Sequence, residues 1–384
     1  MPSSTTNVEM ECDISPEVLS SIFKRLPVRT LARVQCVCKD WKNLLNYPSF
    51  IQEHLQYSAR ENPHLLFHGD TVLNPLELYV IDSEMQVLPV ESVPLIEFPP
   101  LATVIGSING LLCLKSNYEY LYILLWNPAI SSFRLLTRQS NFWVKTGFGF
   151  CSVVNDYQVV CISHPRVTDP IYRVEVYSLS SCSWKEVEFG KLLDGVEVKS
   201  DGFSTNGAIF WFGYKKGNGR FLVSYYIATE EFALIPSPIS APELSDSLCY
   251  RLSVYENKLA LLSHTTIGIS EYSLIDLWVM EEVKDSISEE RWSWTKKYRI
   301  KHPYLLLPGV VWRNMIVCNH IDILRERNTA SEHNVIDEGL NIVLVNLTTD
   351  ELKRFAFPKC GIGFQVFSYV ESLVPVDKIH IEEF

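Results

Sequence analysis

The sequence predicts a small all-α unit of three helices followed by an all-β propeller, with six blades expected and seven allowed. Two observations carry this prediction. Apolar residues recur at helical spacing only between Asp13 and Phe50. Beyond a short break the chain becomes strand-like apolar runs and polar turns that repeat roughly every fifty residues. With 384 residues, 47% of them hydrophobic, there is material for one large core plus a small module, so two domains are expected. The expected division is a flexible leader over residues 1–12, the helical unit over 13–52, a linker over 53–72 and the propeller over 73–384.

The first helix opens at Ser15, a good N-cap, with Pro16 where a missing N–H costs nothing. Val18, Leu19, Ile22, Phe23 and Leu26 then fall on one stripe, and the helix runs to about Arg25. Pro27 removes a backbone donor and drives Leu26 out of the α region, forcing a turn before Val28, Leu31, Ala32 and Val34 supply a second apolar face. Val37, Trp41, Leu44 and Leu45 make a third helix that ends before Pro48. Three helices of this size cannot bury all these side chains in one another. Some must find a partner in the rest of the chain or in another protein.

This segment resembles an F-box. The residues that carry the resemblance are Ile14-Ser15-Pro16-Glu17, Ile22-Phe23, Arg25-Leu26-Pro27-Val28-Arg29, Leu31, Val37-Cys38-Lys39-Asp40-Trp41 and Pro48-Ser49-Phe50. One departure is that the opening Leu-Pro of the family is replaced by Ile14 with Pro16 one step later. The resemblance implies docking on the Skp-type adaptor of an SCF ubiquitin ligase, and through it on a cullin. The implied adaptor contacts are Pro16, Leu19, Ile22, Phe23, Leu26, Pro27, Leu31, Val34, Cys38 and Trp41. A helical cap or a helix-turn-helix DNA reader is the alternative, and the acidic balance of the chain speaks against nucleic acid.

Residues 13–51 carry a net +3, which leaves −14 for the remainder of a chain of net charge −11. A positive N-terminal unit fits an acidic adaptor, and an acidic propeller suggests a basic target. No apolar run reaches the length of a membrane span, and neither end carries a signal or prenylation pattern. Ten cysteines stand singly, with Cys113, Cys151, Cys161 and Cys318 inside apolar runs and no Cys-x-x-Cys, the pattern of buried reduced thiols. A soluble protein of the cytoplasm, the nucleus or both is expected.

In the second part, strand-like runs centre on Tyr79, Trp126, Tyr177, Tyr226, Val279 and Val345. Each leads into a polar turn and a return strand, as in Trp126-Asn127-Pro128-Ala129-Ile130-Ser131-Ser132-Phe133. A second strand type precedes them, seen at Gly110–Leu114, Asp156–Val160, Asn206–Trp211 and Glu256–Leu261. Two alternating hairpins per period make a four-stranded blade. The polar stretch His320 to Glu338 reads as a loop inserted in the last unit, either a candidate partner contact or a disordered surface excursion.

This part is similar to the plant F-box-associated domain, including that of the S-locus F-box group. The phrases concerned are Gly110-Leu111-Leu112-Cys113, Trp126-Asn127-Pro128, Gly147-Phe148-Gly149-Phe150 and Asp276-Leu277-Trp278-Val279-Met280-Glu281 with Trp292-Ser293-Trp294. Trp126, Trp184, Trp211, Trp278 and Trp294 sit inside apolar alternations and read as blade packing rather than a ligand cage.

Chemistry-bearing motifs are sparse. There is no phosphate-cradling Gly-x-x-x-x-Gly-Lys, no His-Glu-x-x-His and no Gly-x-Ser-x-Gly elbow. His64 and His68 would suit a metal only on a helix, and Leu65-Leu66-Phe67 between them favours a strand. The pairs Glu230-Glu231, Glu281-Glu282 and Glu289-Glu290 lie in expected turns. No cofactor, metal or catalytic residue is therefore predicted. The expected function is a non-catalytic substrate receptor that holds a target protein for ubiquitination, with a propeller scaffold, a glycan-binding module or a propeller hydrolase as the competing readings.

Overall fold

The computed structural model describes residues 14–69, 77–82, 84–90, 98–99, 102–117, 120–139, 143–239, 248–267, 272–282, 292–303, 305–321, 340–357 and 364–376. The leader expected at 1–12 lies outside them, as do residues 322–339, which hold most of the insertion expected at His320 to Glu338.

Four helices come first: α1 (Pro16–Phe23), α2 (Val28–Val34), α3 (Lys39–Asn46) and α4 (Pro48–Glu61). Ser15 Oγ accepts the N–H of Val18 and Pro16 occupies the first turn, as its missing donor allows. The fourth helix corrects the expected linker at 53–72, because α4 fills its beginning and His64–Gly69 is already a propeller strand. On α4 the buried positions are Phe50, His54 and Ser58, four apart, and two of the three are polar.

Six antiparallel sheets follow as blades. Blade 1 is Thr103–Ile108, Leu111–Asn117, Tyr120–Asn127 and Ser132–Gln139; blade 2 is Trp143–Cys151, Asp156–His164, Arg173–Ser178 and Ser183–Glu186. Blade 3 has a first strand split into Glu197–Val198 and Phe203–Thr205, then Ala208–Lys215, Gly219–Tyr226 and Glu231–Pro236. Blade 4 is Leu248–Tyr255, Lys258–Ile267, Tyr272–Glu282 and Trp292–His302; blade 5 is Leu305–Trp312, Met315–Ile321, Leu340–Asn346 and Leu352–Phe357. Blade 6 closes the ring across the whole chain: Phe364–Tyr369 supplies its innermost strand and pairs with His64–Gly69, which continues to Leu78–Ile81 and Val87–Pro89. Joining the two ends in one sheet closes the ring, because blade 6 is complete only when both segments are in place.

The strand centres Tyr79, Trp126, Tyr177, Tyr226, Val279 and Val345 each fall on the third strand of a blade. The second strand type falls on second strands throughout. The turns between third and fourth strands carry a left-handed residue at Met85, Ser131, Cys182, Glu230 and Asp350, and those between first and second strands at Asn109, Asn155, Asn206, Asn257 and Arg313. A two-residue reversal that matches strand twist needs such a conformation, which is why polar and Asn-rich turns punctuate the repeat.

Buried apolar clusters occupy every seam between neighbouring blades. All five tryptophans read as packing residues belong to these seams. Gly147 and Gly149 explain Gly-Phe-Gly-Phe: Phe148 packs toward blade 1, while a Cβ on Gly147 would lie 2.5 Å from Trp211 and one on Gly149 2.6 Å from Ile227, both across the seam to blade 3. Cys113, Cys151, Cys161 and Cys318 are buried and free of disulfides, and burial pushes the Cys161 thiol up to about 12.

A strand of eight residues spans about 25 Å, so each blade has two distant ends. One end carries the tight first-to-second and third-to-fourth turns; the other carries the second-to-third turns and the blade-to-blade connections. The helices sit on the tight-turn end. Ala129 and Ile130, in the third-to-fourth turn of blade 1, and Leu373 beyond the last strand pack with Phe23, Val28, Leu31, Leu45 and Phe50.

Candidate functional site

The helical unit divides its apolar residues between an inner and an outer set. Phe23 (4% exposed) and Leu31 (0%) belong to the core that closes on the propeller, and Trp41 stacks edge-on against Phe23 with ring centroids 5.1 Å apart. Leu19, Leu26, Val34 and Trp41 are half-buried around that core. Pro16, Ile22, Pro27 and Cys38 face outward. Of the ten residues implied as adaptor contacts, Phe23 and Leu31 thus have no surface to offer, and their part is to hold the others in place.

Apolar residues outside that set are exposed as well. Ile14 (43%), Val18 (51%) and Val37 (63%) are exposed alongside Ile22 (45%). Glu17, Val18, Ser21, Ile22, Arg25 and Leu26 line a shallow depression along α1. The signal for Val18 was present in the sequence: the stripe on α1 is wider than a bundle this small can cover, and the excess must face out.

Local structure fixes this surface. Pro27 starts α2, where its carbonyl accepts the N–H groups of Thr30 and Leu31. The Leu26 carbonyl lies 3.0 Å from Nε2 of the buried His54 on α4, so the Leu-Pro break is pinned from behind. Burial holds the His54 imidazole below its ordinary value against the opposing pull of the Leu26 carbonyl and Glu371. Cys38 Sγ accepts the N–H of Trp41 at 3.4 Å, capping α3. Val-Cys-Lys-x-Trp is therefore a cap followed by a core aromatic.

Other positions noted in the sequence take structural roles. On a strand His64 and His68 stand about 13 Å apart; His68 Nε2 meets the Ala102 carbonyl at 3.0 Å and His64 stacks on Tyr369. Glu230 is ion-paired with Lys185, and Glu281 with Lys258 and Lys297. Glu289-Glu290 lies outside the described residues. The described residues contain no group of three His, Cys, Asp or Glu side chains arranged for a metal. The central channel holds a cavity of about 1000 Å³ between the first strands. Among the carboxylates that line it, Asp201 accepts Lys115 Nζ at 2.6 and 2.8 Å and the Thr146 N–H at 2.7 Å.

Comparison with known proteins agrees with this division of the chain. Residues 16–55 match the F-box-like family model, and residues 81–365 match the model described as an F-box associated beta propeller domain. The chain is an F-box protein of the plant F-box-associated propeller family. Its relatives in Arabidopsis thaliana include the F-box protein CPR1, 25% identical over 76% of this chain and 73% of that protein. An F-box/kelch-repeat protein from the same plant is 24% identical over 73% and 77%. F-box/WD-40 repeat-containing protein 1 is 25% identical over 95% and 90%, so its match extends along nearly the whole chain. In this F-box protein the F-box is seated on blade 1 with one apolar side still uncovered. Among the described residues no helix is long and apolar enough to cross a membrane.

Proposed function

We propose that this F-box protein is the substrate-recognition subunit of an SCF-type ubiquitin ligase. The F-box docks on a Skp-type adaptor, which joins a cullin, and the propeller holds a target protein near the ubiquitin carrier in the cytoplasm or nucleus. Transfer then follows from proximity, and this chain contributes position rather than a reacting group.

The observation that carries the reading is the exposed line of Ile14, Val18 and Ile22 along α1, with Val37 also exposed between α2 and α3, on a unit that already has a completed core. Side chains of this kind gain about 1.5–3 kcal/mol each when fully buried, before the cost of association. A few such anchors suffice for a tight complex. The Lys and Arg residues interspersed among them suit an acidic partner.

Isothermal titration of the full chain with a purified Skp-type adaptor tests this. Sub-micromolar binding that an Ile22→Asp variant loses, with its thermal transition unchanged, is the expected result. A folded wild-type chain that fails to bind would end the receptor reading and leave a propeller scaffold, glycan-binding module or hydrolase to be screened.

A further inference from the structure

Outside the F-box the described residues include eight large hydrophobics that are exposed, and five of them gather at one place. Tyr120, Trp143, Val167, Tyr172 and Leu192 all lie on blades 1 to 3 at the end away from the F-box. Trp143 (58% exposed) opens the first strand of blade 2 and pairs in register with His164; the Tyr172 N–H bonds the Ser163 carbonyl at 2.9 Å on the other side of the same strand. Trp143 and Tyr172 (60%) therefore flank one strand, with backbones about 10 Å apart. Val167 is in the turn that leads from the His164 strand to Tyr172, and Leu192 comes from the connection to blade 3.

Cations are interspersed with these side chains. Arg166 and Lys191 adjoin Val167 and Leu192, and Lys215 and Lys216 sit at the same end of blade 3. None of the four makes an ion pair among the described residues. Lys145, two residues from Trp143, is only partly compensated: burial lowers its ammonium from the ordinary value, Asp201 opposes this, and Lys115 and Lys199 lower it further. Over residues 143–145, 164–173, 186–199 and 214–220 the formal balance is +3, in a chain of −11. The whole-chain charge suggested a basic target, but the charge at this end has the opposite sign.

We infer that the end of blades 2 and 3 remote from the F-box is a docking surface for a short acidic segment with an apolar or aromatic anchor. The anchor enters between Trp143, Tyr172 and Leu192, and the acidic residues meet Lys145, Arg166 and Lys191. Exposed aromatics surrounded by unneutralised cations form the pattern of an anchored, electrostatically steered contact. This rests on the substrate-receptor reading, and it specifies what the receptor holds.

The test is selection from a random twelve-residue peptide display library on the full chain, with adaptor affinity measured in parallel. Selected peptides should be net acidic with one large apolar residue. Their affinity should fall at least about tenfold in a Trp143→Ser/Arg166→Glu/Lys191→Glu variant and stay unchanged in a Val153→Ser/Val154→Ser control on the opposite end. Adaptor binding should be the same in all three proteins. Peptides without acidic bias, affinities equal in the triple variant, or no enrichment would overturn the inference. So would a single-stranded oligonucleotide that displaces the peptides at equal concentration, since that makes the patch a nucleic-acid surface. Selection of acidic peptides by a chain that does not bind the adaptor would keep this surface and remove the receptor reading.

Discussion

Asn127 Nδ2 donates to the carbonyl oxygens of Ser372 at 3.0 Å and Val374 at 2.8 Å, tying the end of the third strand of blade 1 to a segment some 245 residues further on. Its Oδ1 meanwhile accepts the Ala129 N–H at 3.1 Å, capping the turn that touches the F-box. Trp126-Asn127-Pro128 is thus a seat for the C-terminal segment, with Trp126 in the seam toward blade 6 and Asn127 fully buried. Asn127→Ala should cost about 1–3 kcal/mol by leaving buried carbonyls without donors. A reduced urea midpoint with an unchanged slope would show it, and an unchanged midpoint would refute the clamp.

Between the two clamped carbonyls lies Leu373, 5% exposed and packed with Phe23, Val28 and Leu31. Leu373→Ala should open a cavity at the F-box seat, costing about 2–5 kcal/mol. Hydrogen exchange should then speed up in α1 to α3 more than in blades 3 to 5. Uniform acceleration across all blades would mean that the F-box and propeller do not share this contact.

Adaptor docking should separate contact residues from supporting ones. Ile22→Asp should abolish adaptor binding with little change in thermal stability, because Ile22 is exposed. Leu31→Ala should lower stability by about 2–5 kcal/mol first, because Leu31 is wholly buried. Differential scanning calorimetry beside adaptor titration distinguishes the two. If Leu31→Ala lost binding while melting like wild type, the assignment of Leu31 to the core would be wrong.

Lys115, with its side chain 7% exposed, bridges from blade 1 to the Val144 carbonyl at 3.3 Å in blade 2 and to Asp201 in blade 3. Asp201→Asn should leave a buried ammonium short of its counter-charge and cost about 3 kcal/mol, the low end for a broken buried pair since Asp201 keeps 31% exposure. The double variant Lys115→Met/Asp201→Asn should recover most of that loss. Equal instability of the single and double variants, by urea unfolding, would show that the pair is not coupled.

Burial lowers the values of His54, His64, His164, His264 and His302 from 6.5. Between each depressed folded value and 6.5 the unfolded chain binds more protons, so stability falls as pH drops through that window and is level above it. Urea midpoints should therefore be constant from pH 7 to 8 and decline from about pH 6.5 downward. His54→Gln, which keeps a donor for the Leu26 carbonyl, should make the decline shallower. A midpoint that rises on acidification would contradict the sign.

Much of this architecture was legible because it is written in local terms. Third strands were found from apolar runs ending in polar turns, and the turns were recognisable because a left-handed residue such as Asn109 or Asn206 is needed there. The Leu26-Pro27 break and the capped start at Ser15 were equally local. α4 was missed because its buried stripe includes His54 and Ser58, which dilute the hydrophobic signal. The run Leu65-Leu66-Phe67 reads as a strand, but its membership of a blade is not legible because nothing near it in sequence pairs with its inner edge. Its partner there, Phe364–Tyr369, lies some three hundred residues later.

The sequence alone determined the helical unit with its apolar excess, the blade period and the residues that fill the seams, since each follows from side-chain spacing within a few turns of chain. Tertiary structure decided how the ring closes, that Leu31 faces blade 1 while Ile22 faces out, and that a chain of net −11 carries exposed cations around Trp143 and Tyr172. Local spacing specifies which side chains share a face. Only the meeting of distant segments, with the burial and charge neutralisation it brings, settles which of those faces is left for a partner.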